Sequence, residues 1–162
     1  MPTPPTPTYL AARLYLPDDR AEWLRMRQRL WPNPDPEAQL TDMDKWLAQV
    51  DTIVLVVPRG GGASTALAGF AEVGTRSVAD SCETSPVAYL EGWYVDEDLR
   101  RQGVGTALVR AAEAWALSKG LKEFASDTQL GNADSQLAHA ALGFTEVERL
   151  VTYRKVLGPQ GK

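Results

Sequence analysis

Trp93-Tyr94-Val95-Asp96-Glu97-Asp98-Leu99-Arg100-Arg101-Gln102-Gly103-Val104-Gly105-Thr106-Ala107-Leu108 decides how this chain folds. The aromatic and β-branched residues before Asp96 read as the end of a strand. Val104–Lys119 reads as a helix, closed by Gly120 where left-handed geometry is needed. The turn between them carries Gly103 and Gly105, whose missing Cβ atoms let a ligand approach the backbone closely. The first N–H groups of a helix have no internal partners, and the helix dipole adds about half a positive charge there. The segment therefore has the makings of a phosphate cradle. Arg100 and Arg101 add cationic donors suited to phosphate oxygens. A Walker loop is excluded, since no Gly-Lys-Ser/Thr follows. A dinucleotide fingerprint is excluded because Leu108 stands where its third glycine belongs.

Outward from this segment the chain reads as alternating helices and strands. Pro17-Asp18-Asp19 opens a first helix, with Asp18 or Asp19 as cap and Trp23, Met26 or Arg27, Leu30 and Trp31 at helical spacing. Pro32, Pro34 and Pro36 stop it. Glu37–Val50 reads as a second helix with Leu40, Met43, Leu47 and Val50 on one stripe. Ile53–Val57 and Ala66–Val73 are strands joined across a glycine-rich turn at 58–65, and Ala88–Val95 is a third strand. Phe124–Asp127 is a short strand. Ala133–Leu142 is a helix capped by Asn132 and ended by Gly143. Phe144–Leu157 is one long β-rich run without a turn signal. The order is mixed α/β, antiparallel strands first and a strand–helix–strand unit later.

The chain has 162 residues, 44% hydrophobic and 23% charged, and a net charge of −4. That suits one domain with a real core. The expected organisation is a flexible proline-rich tail at 1–8, one domain at 9–157 and a short tail at 158–162. A nucleic-acid partner is not expected without a basic excess. One cysteine, Cys82, and one histidine, His139, argue against a disulfide and a Cys- or His-built metal site. No basic-then-apolar leader precedes the domain and no apolar run approaches a membrane span, so the expected location is the cytoplasm, with no membrane partner. Charge is uneven: residues 35–98 hold twelve acidic and three basic side chains, residues 99–162 nine basic and six acidic. An acidic site for a cation and a basic site for an anion fit this split.

The Arg100-x-x-Gly103-x-Gly105 pattern resembles the acetyl-CoA pyrophosphate loop of the GNAT superfamily of N-acetyltransferases. Asn132-x-x-Ser135-x-x-x-His139-x-x-x-Gly143-Phe144 resembles that superfamily's later helix and its exit into the next strand. Three blocks are similar to the aminoglycoside 6′-N-acetyltransferases in particular: Glu91–Val95, Ala125–Thr128 and Ser135–Phe144.

The resemblance implies the GNAT fold, a central, mostly antiparallel sheet flanked by helices. It implies acetyl-CoA as co-substrate and no metal. The backbone at Tyr94 and Val95 would pair with the pantetheine arm, and Arg100, Arg101, Gln102, Gly103, Gly105 and Thr106 would hold the pyrophosphate. Asn132 would lie near the pantetheine or sulfur. The implied reaction is acetyl transfer to the 6′-amine of an aminoglycoside, conferring resistance. Such an acceptor is mostly an ammonium, so a carboxylate must attract it and a base must take a proton. Glu91 is assigned as the water-mediated base and Asp127 as the group that binds and orients the amine, the exchanged roles being open. His139 stands where many members carry a tyrosine that protonates the thiolate, and is a candidate for that proton. Trp31 is the aromatic candidate for the sugar, and Glu148, Asp42 and Asp44 are further acidic candidates. Cys82 has no cationic neighbour in sequence and is read as no nucleophile, which favours direct transfer in a ternary complex. Two other readings remain: the same reaction on a protein amine or polyamine, and a catalytically silent CoA-binding sensor. The resembling enzymes are commonly dimeric, and the C-terminal run is the expected seam of a homodimer.

Overall fold

A computed structural model describes residues 11–60 and 65–158. The proposed tail at 1–8, two of the turn glycines and residues 159–162 lie outside that range. The element order is β1 (Arg13–Leu14), α1 (Arg20–Leu30), α2 (Pro36–Ala48), β2 (Ile53–Pro58), β3 (Leu67–Arg76), β4 (Val87–Val95), α3 (Val104–Ser118), β5 (Phe124–Ser126) and α4 (Ala133–Ala141). The strands form one sheet in the order β1-β2-β3-β4-β5. The first four are antiparallel neighbours, and β5 runs parallel to β4. The chain forms two compact units, one up to Asp127 and one from Thr128.

Alternation along β2 sends Val54 and Val56 to one face of the sheet, where they pack with Trp23 and Met26 of α1, Met43 of α2 and Phe70 of β3. Each large apolar side chain so buried contributes about 1.5–3 kcal/mol. Helix α3 buries Val104, Leu108, Val109, Ala112 and Ala116, a stripe at helical spacing. Ala116 packs with Ala88 of β4. Gly69 lets this helix close on the sheet: a Cβ there would meet the Tyr94 carbonyl at 2.6 Å and Val104 at 3.1 Å.

Several local expectations need correction. The Asp19 side chain does not cap α1; it accepts instead from the Leu16 N–H at 2.8 Å, in the turn before the helix. It is buried, accepts from both Arg13 nitrogens at 2.7 and 2.9 Å, and ties β1 to the start of α1. Strand β1 itself, two residues long, was not foreseen. In α2 the buried positions are Gln39 and Met43, with Trp46 half-buried, whereas Leu47 and Val50 are exposed. The helix ends at Ala48, so Val50 never shares its stripe. The run Phe144–Leu157 forms no strand ladder among the described residues, and Val147, Leu150, Val151, Tyr153, Val156 and Leu157 stand exposed.

Candidate active site

The loop before α3 has an open, glycine-led helix start. Gly103 precedes α3 with φ +87°, and no side chain caps the helix. Arg101 also has positive φ, +59°, so the loop makes two left-handed turns within three residues. Arg100 donates through Nε to the Val95 carbonyl at 3.1 Å, and its guanidinium carbon lies 5.9 Å from the Tyr94 ring centroid. Gln102 donates to the Asp98 carbonyl at 2.8 Å. Arg100, Arg101, Gln102 and Thr106 are exposed around the helix start. The two glycines serve different ends. A Cβ on Gly103 would meet nothing within 4 Å, so glycine is needed there for its backbone angle. A Cβ on Gly105 would meet the Trp93 indole at 2.8 Å, so glycine is needed there for packing under the loop.

The loop is anchored from below. Asp96 is buried and accepts from Arg25 at 3.0 and 2.9 Å and from Arg59 at 2.8 Å. Burial raises its carboxyl, but the hydrogen bonds from Arg25 and Arg59 outweigh that and hold it below the ordinary range. A depressed folded pKa stabilises above the unfolded value and is lost as pH falls through the folded one. Asp96→Asn is therefore expected to lower stability near neutrality by about 1–3 kcal/mol, the scale of a hydrogen bond to a charged group. The gap from wild type should shrink as pH falls below the carboxylate range. Thermal melts of both proteins across a pH series check this; a gap that persists at low pH would contradict it.

Strand β4 has two features that make it a binding strand. Its ladder to β3 pairs Val73 with Leu90 and Glu72 with Gly92, leaving Glu91 as an extra residue in a bulge. Its ladder to β5 ends at Leu90 and Ser126, while β4 runs on to Val95. Past Leu90, the β5-side edge of β4 thus has no strand partner among the described residues. Its amides suit the pantetheine arm, whose own amides pair like an added strand. The open edge and the uncapped, cationic helix start together fit coenzyme A. No group of three metal-ligating side chains occurs among the described residues. No helix among them is long and apolar enough to cross a membrane.

Beside β4 lies a cleft of about 450 Å³, walled by Trp31 and Trp46 and carrying Asp42, Glu72 and Glu91. The outer ring of Trp31 closes on the strand because residue 92 is glycine: a Cβ there would fall 2.2 Å from the indole. The backbone of Trp31 is fixed by a chain of hydrogen bonds. Gln39 donates to its carbonyl at 2.6 Å and accepts from Arg27 at 3.1 Å; Arg27 pairs with Glu72, which also accepts from Trp23 at 2.9 Å. Glu72 is buried, and burial pushes its carboxyl up against the pull of Arg27. Sequence reasoning missed Glu72. The available signal was a lone carboxylate inside an otherwise apolar strand, Leu67–Val73. Gly92→Ala is expected to displace the Trp31 ring and raise KM for a cationic sugar severalfold, leaving KM for acetyl-CoA near wild type. Steady-state kinetics in both substrates decide it.

Glu91 and Asp127 occupy neighbouring strand positions, each one residue past the last β4–β5 pair. Glu91 is half-buried and Asp127 exposed. Glu91 accepts from Arg76, and Asp127 accepts from the Tyr89 hydroxyl. Asp42 joins the cleft, whereas Asp44 pairs with Arg20 at 2.8 Å. Asn132, His139 and Glu148 belong to the second unit. There the Asn132 side chain accepts from the Ser135 N–H at 3.1 Å and caps α4. His139 Nδ1 lies 2.7 Å from the Ser135 carbonyl and therefore carries a proton, and its ring meets Phe144 edge-on at 5.2 Å. Glu148 is exposed.

The sequence profile of the Acetyltransferase (GNAT) family matches residues 20–144. The chain belongs to this family. Among GNAT relatives, an aminoglycoside N(6')-acetyltransferase type 1 from Klebsiella aerogenes is 46% identical over 143 residues, covering 86% of this chain and 91% of the relative. Its counterpart from Serratia marcescens is 44% identical over 142 residues, covering 87% and 95%. In structure, this GNAT chain is similar to AAC(6')-Iy bound to the bisubstrate analog CoA-S-monomethyl-acetylneamine, with a TM-score of 0.82, 34% identity and coverage of 90% and 97%. It is equally similar to AAC(6')-Ih from Acinetobacter baumannii, with a TM-score of 0.82, 33% identity and coverage of 91% and 98%. The GNAT fold expected from the loop is thereby established.

Proposed function

We infer that this protein transfers the acetyl group of acetyl-CoA to the 6′-amine of an aminoglycoside, by direct attack in a ternary complex, and so confers resistance. The observation that carries the reading is the acidic, tryptophan-walled cleft opening beside the bulged strand β4. Asp42 and Glu91 give it carboxylates for a polycation, Glu72 behind them being paired with Arg27, and Trp31 and Trp46 give it faces for a sugar. The names of its relatives point to the same acceptor.

Acetyl-CoA supplies an acetyl group activated as a thioester, with a thiolate as leaving group. The chain's own residues do the rest. Tyr94 and Val95 hold the pantetheine along the open edge, and Arg100, Arg101, Gln102, Gly103, Gly105 and Thr106 hold the pyrophosphate. Glu91, Asp127 and Trp31 bind the acceptor, with Glu148 as an outer acidic contact. One of the carboxylates takes a proton from the ammonium, directly or through water, so that the nitrogen lone pair can attack the thioester carbon. Asn132 serves the pantetheine side. His139 is proposed to protonate the thiolate from Nε2, its Nδ1–H being held by the Ser135 carbonyl. The amine nitrogen sheds a second proton as the amide forms, and that proton is the one Nε2 would take up and pass to the sulfur. Cys82 takes no part, for burial and Glu123 push its thiol up and away from a thiolate.

A thiol-release assay with acetyl-CoA and a panel of amines tests the reading. Release with neamine, and little with spermidine or a lysine peptide, is expected. Preference for either of the latter would move the acceptor to a polyamine or protein. No release with any amine would leave a binding domain. The reaction is placed in the cytoplasm, where acetyl-CoA is available. The enzyme is further proposed to be a homodimer through its C-terminal run, whose exposed apolar residues suit a partner chain.

A further inference from the structure

Two side chains outside the assigned site hold its carboxylates. Arg76 of β3 reaches Glu91 with both arms of its fork, Nε at 2.8 Å and Nη2 at 2.7 Å. The same guanidinium lies over the Tyr89 ring, 3.4 Å from its centroid. The Tyr89 hydroxyl donates to Asp127 Oδ2 at 2.5 Å. Glu91, Arg76, Tyr89 and Asp127 thus form one unbroken strip from the bulge of β4 to the end of β5. Resting on the acceptor site proposed above, we propose that Arg76 and Tyr89 are positioning residues that set Glu91 and Asp127 as a fixed pair, selecting one amine of a polyamino substrate.

An aminoglycoside carries several ammonium groups, and a freely turning carboxylate would follow whichever came nearest. A planar guanidinium fork fixes the plane of the carboxylate it grips, which a lysine point charge does not. The Tyr89 ring is held beneath that guanidinium, so its hydroxyl is a fixed point for Asp127. Burial and the bond to Asp127 push the phenol upward, and it remains a donor throughout any assay range. The strip also divides the labour. Both Glu91 oxygens face Arg76, while Tyr89 takes only Oδ2 of Asp127. Asp127 therefore keeps an oxygen for the amine proton, and Glu91 supplies a fixed negative charge. This exchanges the roles first assigned from the sequence.

Double-variant cycles on kcat/KM, read with the best acceptor of the amine panel, test the strip. Tyr89→Phe keeps the ring under Arg76 and removes only the hydroxyl. It is expected to lower kcat about tenfold, within the range of coupled neighbours, with KM for acetyl-CoA unchanged. Added to Asp127→Asn it should cost nothing more, since it acts through that residue. Arg76→Lys should likewise cost nothing more on Glu91→Gln, and should rescue little compared with Arg76→Gln. Losses that add in both cycles would assign the two residues to the fold alone and overturn the proposal, as would wild-type kcat in Tyr89→Phe. If Asp127→Asn and Glu91→Gln collapse turnover while Tyr89→Phe does not, only the positioning fails. If those two variants themselves turn over normally, the acceptor site fails and the positioning with it.

Discussion

Asp127→Asn is expected to lower kcat/KM for a 6′-amino aminoglycoside by about 10²-fold or more, the scale of a general acid–base group. The change is isosteric, and asparagine retains an oxygen that accepts from Tyr89, so the strand end keeps its shape. What disappears is an oxygen able to take a proton from an ammonium. Glu91→Gln should fall on a similar scale for a different reason. The bidentate grip of Arg76 is lost, and its guanidinium is left without a carboxylate beside the place proposed for a cationic substrate. In both variants KM for acetyl-CoA should hardly move, because the pyrophosphate loop lies at the other end of β4. Initial rates across a pH series check this. Near-normal turnover in both would shift attention to Glu72 on the cleft wall, and after it to Glu148.

Truncation after Leu150 is expected to yield a monomer and to abolish activity together. The deletion removes Val151, Tyr153, Val156 and Leu157, all exposed in the single chain. Full burial of such side chains is worth about 1.5–3 kcal/mol each. In the proposed dimer two copies of the run would bury twice that number, on the scale of an association cost of about 4–15 kcal/mol. The run contains no Gly, Pro, Asn or Asp between Phe144 and Leu157, so it lacks the chemistry to fold back as a hairpin. Light scattering at micromolar concentration gives the mass. A fully active full-length monomer would end the idea.

The core of the fold was legible because its signals are local. Gly103 and Gly105 announced the turn, and the spacing of Val104, Leu108, Ala112 and Ala116 announced the helix behind it. The five-residue apolar run at Ile53, four of its residues β-branched, reads as a buried strand. The neighbouring strand positions of Glu91 and Asp127 were legible only through family resemblance, since the two lie 36 residues apart, just past a three-pair ladder. Arg76, Tyr89 and the Arg27–Glu72 pair were illegible for the same physical reason: each partner is remote in sequence, and a charged residue reads as surface until its counterion is known. The stripe on α2 was misread because Leu47 and Val50 have the right chemistry at the right spacing. Gln39, which looked like surface, is buried because the Trp31 carbonyl and Arg27 need a polar partner there.

The bulge at Glu91 also acts as a reading frame for side chains. On β3, Phe70, Glu72, Gly74 and Arg76 share one face without interruption. Their partners on β4 are Tyr94, Gly92, Tyr89 and Val87, so the spacing jumps from two to three as it passes Glu91. Were the bulge drawn flat with Glu91 taken into the ladder, Glu91 would stand opposite Glu72 and Trp93 opposite Phe70, and Gly92 and Tyr94 would turn toward α3. Trp31 would have no floor to lie on, and Gly105 would lose the indole it accommodates. The extra residue thus keeps Gly92 under Trp31 and Trp93 under Gly105. A one-residue frameshift in space, with every downstream amino acid intact, would erase both substrate sites at once.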